Sequence, residues 1–142
     1  MPKLFRVMKK GDDQKPIVDA TGKGLGVRGI PVNGVVDVDL DDEGFVALNG
    51  KGMSVVPAWR DLPFFLVPLR LKDQFPGARG AIDCYCFAMG HGTFQNGTIA
   101  DGLHLQQDSP KHGNVVPQQR VVLDQFQIDL AATRESWNVD EE

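Results

Sequence analysis

Glycine and proline recur along the whole chain and divide it into short segments. The 142 residues include 16 glycines and 9 prolines, and neither type is pooled in one linker. Long helices do not tolerate such interruptions, whereas the turns between short strands require these residues. The sequence therefore predicts a single domain over residues 1–142, mostly β and large enough to bury a hydrophobic core.

Short apolar segments between these turns are the predicted strands. Residues 35–40 alternate valine or leucine with aspartate, which is typical of a strand with one buried face. Residues 45–48 and 53–56 flank Asn49-Gly50, a dipeptide that favours a tight hairpin turn. Further strands are predicted over 4–8, 64–71, 81–88, 103–107 and 114–116.

One helix is predicted near the C-terminus. Asp124 is the expected N-cap, Gln127 completes a capping box three residues later, and Leu123 with Ile128 forms a hydrophobic staple. Apolar residues continue at helical spacing as far as Trp137. The fold class predicted from these elements is α+β, a strand-rich domain closed by a C-terminal helix.

Charge and hydropathy exclude several classes of partner. A net charge of −4 argues against general nucleic-acid binding. The longest apolar run, residues 64–67, is too short to span a membrane, and no signal-peptide pattern is present, so a cytoplasmic protein is expected. Cys84 and Cys86 lie on one face of a predicted strand, where buried, reduced thiols are expected.

Three motifs suggest familiar kinds of site, but the residues around each motif do not support that site. Residues 24–29 match a dinucleotide-binding glycine fingerprint, but Pro31 and Gly34 disfavour the helix that must follow, so a flexible loop is predicted. The three histidines lack metal-ligand spacing, and no metal is predicted. Ser54 has no glycine elbow around it, which argues against a hydrolase nucleophile.

Two cationic features indicate an anionic ligand. Arg6 lies in an apolar strand, where its charge is costly unless it is paired or binds an anion; the alternative is a solvated arginine that faces outward. Trp59 and Arg60 lie side by side between two prolines, an arrangement that suits a flat anionic ligand. The alternative there is a structural corner, with Trp59 in the core and Arg60 paired to Asp61.

Several short motifs occur in an order that covers most of the chain. They are Leu4-Phe5-Arg6-Val7, Asp42-Glu43-Gly44-Phe45, Gly52-Met53-Ser54-Val55, Gln107-Asp108-Ser109, residues 112–117 and the C-terminal helix. In this order they resemble the Tse-type toxin family, second member, which comprises bacterial type VI secretion effectors and fungal relatives.

The resemblance implies an ADP-ribosyltransferase-like fold, with two perpendicular β-sheets around a cleft for NAD. It also implies catalytic roles for Arg6, Ser54 and His112. Arg6 would hold the phosphates or ribose of NAD, Ser54 would support the cleft wall, and His112 would match the histidine of the third element. Trp59 and Arg60 would then lie at the rim of the cleft, where they would contact the cofactor by stacking or through its phosphates.

On this interpretation the protein is a toxin effector that transfers ADP-ribose to an intracellular protein or nucleotide target, with a cognate immunity protein as a partner. The chain departs from the wider transferase pattern, because Gln118-Gln119 stands where a Glu-x-Glu or Gln-x-Glu motif is expected. A neutral amide stabilises developing positive charge less than a carboxylate does. The alternative function is a non-catalytic, strand-rich binding module for a protein or nucleotide.

Overall fold

The computed structural model describes residues 2–141, and these form a mostly β domain with one C-terminal α-helix. The strands are β1 (Leu4–Lys9), β2 (Met53–Val55), β3 (Cys84–Met89), β4 (Gly97–Ala100), β5 (Leu103–Ser109), β6 (His112–Pro117) and β7 (Asn138–Val139). The helix α1 covers Leu123–Ala131, and short 3-10 helices cover Trp59–Asp61, Leu69–Leu71 and Arg134–Ser136.

The strands form two antiparallel sheets. The three-stranded sheet has the order β1-β3-β7, and the four-stranded sheet has the order β2-β6-β5-β4. Phe5 and Val56 exchange two backbone hydrogen bonds of 2.8 and 3.0 Å, which join β1 to the residue that follows β2. The prediction of two sheets with a C-terminal helix is therefore confirmed in its coarse form.

The four-stranded sheet has one apolar and one polar face. Its buried residues alternate along the strands and pack with Phe126 and Leu130 of α1 and with Trp137, all of which are fully buried. They are Met53, Val55, Ile99, Leu103, Leu105 and Val115. Alternate residues point away from this core, as the pleat of a strand requires. The outer face therefore presents polar side chains, among them the candidate site residues described below.

Two predicted strands between β1 and β2 are wrong. Residues 35–40 and 45–48 are irregular, with single β-bridges in place of a ladder. The alternation at 35–40 has another cause, because the carboxylate of Asp37 binds Arg28 and that of Asp39 binds Lys51. The buried valines, Val38 at 0% and Val46 at 1% exposure, anchor this irregular segment to the core.

The hairpin predicted around Asn49-Gly50 is also wrong, because β2 pairs with β6 instead. Gly52 makes this pairing possible, since a Cβ atom at this position would collide with the carbonyl oxygen of Val115. The strand predicted over 64–71 is absent as well. That segment forms turns and the second 3-10 helix after Pro68, a residue that cannot donate to a β-ladder.

The helix is shorter than predicted and begins without the predicted caps. Its N-cap is Val122, with no side-chain hydrogen bond, and Ile128 is exposed. The side chain of Gln127 bonds the backbone N–H and carbonyl of Val27 at 3.0 and 2.6 Å, so it holds the glycine loop rather than the helix end. Trp137 lies beyond the helix, where its Nε1 donates to Thr133.

Both cysteines are free and buried, which confirms the expected state of the thiols. Burial, together with the nearby Glu141 carboxylate, raises the pKa of the Cys86 thiol to about 12. No helix within residues 2–141 is long and apolar enough to span a membrane. Residues 24–29 form a loop with no helix after it, and Leu25 and Val27 are fully buried, so the loop is packed rather than flexible.

Candidate functional site

Arg6 is a buried cation that links three parts of the chain. Only 8% of the residue is exposed. Its Nη1 donates to the carbonyl of Ser54 at 2.9 Å, and Nε and Nη2 donate to the carbonyl of Gly24 at 3.3 and 3.2 Å. Nη2 also donates to the carbonyl of Gly22 at 3.5 Å. Arg6 therefore ties β1 to β2 and to the glycine loop through neutral acceptors.

A tight ion pair lies beside this cation. Arg28 binds Asp37 through Nε at 2.9 Å and Nη2 at 3.0 Å, and its backbone N–H donates to the same carboxylate at 2.7 Å. Burial would raise the pKa of Asp37, but the hydrogen bonds from Arg28 outweigh it and hold that pKa below its usual value. The pair is neutral as a unit, so Arg6 leaves the cluster with one excess positive charge.

Burial has a marked effect on Arg6 itself. Desolvation lowers its pKa to about 10, Asp37 opposes this change, and Arg28 adds to it. In the part of the chain that the structure describes, no carboxylate lies within ion-pair distance of Arg6. A bound anion would supply the missing countercharge, which is the kind of interaction that strengthens away from bulk water.

A pocket of about 120 Å³ opens onto this cluster. Arg6, Arg28, Asp37 and Ser54 form its polar walls, and apolar side chains of β1, β2 and residues 62–66 form the rest. Pockets for whole small molecules usually measure about 300–1,000 Å³. The volume therefore matches one phosphate, sugar or acyl group of a ligand.

Ser54, His112 and Asp108 form a continuous chain of hydrogen bonds. Ser54 Oγ lies 2.6 Å from His112 Nε2, and His112 Nδ1 lies 2.8 and 2.9 Å from the two carboxylate oxygens of Asp108. A carboxylate only accepts, so Nδ1 of the neutral imidazole carries the proton and Nε2 accepts the Ser54 hydroxyl proton. This is the polarity that a nucleophile, a base and an orienting acid require.

Sheet register brings these three residues together. Ser54 pairs directly with Asn114, and His112 lies two residues before Asn114, so both site side chains share the polar face of the sheet. Asp108 lies at the register shift between β5 and β6, near the turn that leads into His112. Such bulges re-aim side chains, and this one directs Asp108 at the imidazole.

The chain of hydrogen bonds is open to solvent. The His112 and Asp108 side chains are 36% and 55% exposed. Solvent screens the charge of Asp108, so its attraction to an imidazolium is weaker than in a buried triad. Its geometric role is less affected, because it still fixes which nitrogen of His112 faces Ser54.

Trp59 and Arg60 are not part of this pocket. Trp59 packs against Phe75 with ring centroids 5.5 Å apart, and both Trp59 and Arg60 line a separate surface groove with residues 74–76. The structure therefore brings Arg6, Ser54 and His112 together and leaves Trp59 and Arg60 apart from them. Gln118 is also remote in its contacts, because its amide donates to Thr98 and to the carbonyl of Leu103.

Comparison of the chain with family models, with curated proteins and with solved structures gives no match. The function proposed below therefore rests on the arrangement of the site residues.

Sequence reasoning did not assign a role to Asp108. The signal was present in the spacing, because Asp108 and His112 are four residues apart around a Ser-Pro-Lys turn. A turn of this kind brings the ends of two antiparallel strands together. The sequence around Ser54 has no glycine elbow, and its contact with His112 arises instead from the pairing of β2 with β6.

Proposed function

We propose that the protein is an enzyme of the ADP-ribosyltransferase-like type that binds NAD and acts as a toxin effector. It transfers ADP-ribose to an intracellular protein or nucleotide target, and a cognate immunity protein blocks it. The observation that supports this proposal is the cationic pocket of Arg6, which shares Ser54 with the hydrogen-bonded pair Ser54–His112. Binding of an anionic ligand and proton transfer are thereby possible at one place.

Arg6 is the residue proposed to contact NAD. The pocket carries one excess positive charge, and the remaining donor capacity of the Arg6 Nη1 group is available to a phosphate oxygen. His112 is proposed to accept the proton of the attacking group, a role that its hydrogen bond to Asp108 supports by orienting the ring.

Among the residues that the structure describes, the pocket has no free carboxylate to stabilise an oxocarbenium-like transition state. Asp37 is the carboxylate in its wall, and Arg28 binds it through two hydrogen bonds. Electrostatic stabilisation of the developing positive charge is therefore weak, and slow transfer is expected relative to enzymes with a free glutamate.

Titration calorimetry with NAD tests the binding step. We expect heat of binding for the wild type, a loss of at least about tenfold in affinity for Arg6→Lys, and no change for Arg60→Ala, the matched exposed arginine. Lysine keeps the charge but has no planar fork of donors. Absence of heat and of any thermal shift at millimolar NAD would reject the proposed cofactor.

Expression in cells tests the toxin function. We expect growth arrest by the wild type and recovery of growth with His112→Ala, provided that the variant is present at equal levels and folded. Unimpaired growth with the wild type, despite NAD binding in vitro, would favour a non-catalytic protein.

The groove beside Trp59 favours a binding module as the second candidate function. It is an open surface groove lined by Trp59, Arg60 and Phe75, and Phe64 and Phe65 of a neighbouring turn are about half exposed. Clustered exposed aromatics are typical of protein contact sites. A protein partner whose capture is abolished by Trp59→Ala and unaffected by His112→Ala would favour this function.

A further inference from the structure

The strongest chemical feature of the molecule is one that NAD binding does not require. Ser54, His112 and Asp108 have the contacts of a nucleophilic triad, with 2.6 Å between Ser54 Oγ and His112 Nε2 and 2.8 Å between His112 Nδ1 and Asp108. In the proposed transfer reaction His112 acts on the attacking group of the acceptor, and that role does not require the contact between His112 Nε2 and Ser54 Oγ. The contact between Ser54 and His112 therefore points to a second activity, in which Ser54 is the nucleophile.

Donors for an oxyanion lie next to the nucleophile. Backbone polar groups alternate between the two sides of a strand, and Val56 directs its N–H and carbonyl to Phe5 on the β1 side. The same groups of Ser54 therefore point toward β1, and the Ser54 carbonyl does accept from Arg6 Nη1 there. The Ser54 N–H and the Arg6 guanidinium together supply a donor and a positive charge beside Ser54.

We propose that Ser54 is an activated nucleophile and that the protein hydrolyses small carboxylic esters through an acyl-serine intermediate. Ser54 Oγ forms a bond to the ester carbonyl carbon while His112 Nε2 takes the hydroxyl proton. The bond from that carbon to the alkoxy oxygen then breaks, and Nε2 returns the proton to the leaving alcohol. Water adds to the acyl-serine, its proton passes through Nε2 to Ser54 Oγ, and the carboxylic acid is released.

The pocket limits the class of ester. Its volume of about 120 Å³ admits a short group, and its apolar walls, which include Phe5, Val56 and Leu62, favour an aliphatic one. Arg6 adds a preference for a negative charge on that group. Small esters with an anionic acyl group are thus the expected substrates.

A fluorophosphonate probe tests the nucleophile directly, because Ser54 Oγ bonds to phosphorus as fluoride leaves and Nε2 accepts the proton. The chain has three serines, at 54, 109 and 136, so peptide mass spectrometry assigns the modified residue without ambiguity. We expect labelling of the wild type at Ser54 and of the exposed-serine control Ser136→Ala at the same rate. Ser54→Ala should not be labelled.

The triad variants test the activation. His112→Ala should label about 100-fold more slowly, the usual contribution of a general base. Asp108→Asn should slow labelling about tenfold, less than in a buried triad because Asp108 is half exposed. Hydrolysis of p-nitrophenyl acetate should also be slowed more by His112→Ala than by Asp108→Asn.

Several results would overturn the proposal. They are no labelling of the folded wild type, labelling at another residue, or equal rates for wild type and His112→Ala. Circular dichroism and thermal melts verify that each variant is folded. The experiment contains no NAD, so its failure leaves the proposed cofactor site intact, and failure of NAD binding leaves the nucleophile intact.

Discussion

Replacement of Arg6 by alanine tests whether this residue holds the two sheets together. Its removal leaves the carbonyls of Gly24 and Ser54 without their donor, and each unsatisfied carbonyl lowers the free energy of unfolding by about 1–3 kcal/mol. The lower value applies, because the pocket admits water. Loss of the buried aliphatic stem costs about a further 2 kcal/mol.

Relief of the buried charge opposes these losses. The lowering of the Arg6 pKa to about 10 corresponds to about 3 kcal/mol of unfavourable burial, at about 1.4 kcal/mol per pKa unit. The net prediction is that Arg6→Ala lowers the free energy of unfolding by about 1 kcal/mol, which lowers the melting temperature by about 3–4 °C. The domain remains folded, since stabilities are generally about 5–15 kcal/mol.

Urea denaturation followed by tryptophan fluorescence measures this change, because Trp137 is fully buried. Arg60→Ala is the matched control and should change stability by less than about 0.5 kcal/mol. If Arg6→Ala were as stable as the wild type or more stable, the hydrogen bonds to the carbonyls would not outweigh the cost of the buried charge. The proposed bridging role would then be wrong.

Three further predictions concern stability and the thiols. The interaction with Arg28 lowers the pKa of Asp37 in the folded state. The Arg28–Asp37 pair therefore stabilises the fold above the ordinary aspartate pKa, and this stability is lost as the pH falls through and below that value. Asp37→Asn should flatten the pH dependence of stability in urea titrations at acid pH. Gly52→Ala should cost about 2 kcal/mol or more in thermal unfolding, since its methyl group meets the carbonyl of Val115; equal stability would contradict the β2–β6 pairing. The Cys86 thiol, with its pKa raised to about 12, should react with Ellman's reagent at pH 8 only after unfolding, and rapid native reaction would contradict its burial.

The strands that the sequence predicted correctly are those whose pattern reflects burial. Residues 4–8, 103–107 and 114–116 are all parts of real strands because their apolar positions pack into the core. Residues 35–40 show the same alternation, but Asp37 is used in an ion pair and Val38 anchors an irregular loop. Periodicity alone does not identify residues 35–40 as a loop, because apolar residues alternate with polar ones there, as they also do at 103–105 in β5.

The residues of the candidate site, like the strands, were predictable from the sequence only in part. Arg6 was identifiable because a charge in an apolar strand needs a partner, and the structure shows that its partners are backbone carbonyls, which no sequence pattern reveals. Ser54 and His112 came from the family resemblance, and their mutual contact depends on the pairing of β2 with β6. The spacing of Asp108 and His112 is visible in the sequence, but the direction of the Asp108 side chain is not, because it lies at the register shift between β5 and β6.

Release of nicotinamide from NAD is the most direct test of the proposed function. Purified protein is incubated with NAD and a cell extract that supplies acceptors, and nicotinamide is measured by chromatography. The wild type should release nicotinamide above the background of the extract, while the folded variants Arg6→Lys and His112→Ala should remain near that background. Equal release by the wild type and His112→Ala, or none by the wild type at saturating NAD, would contradict a catalytic NAD site at Arg6, Ser54 and His112.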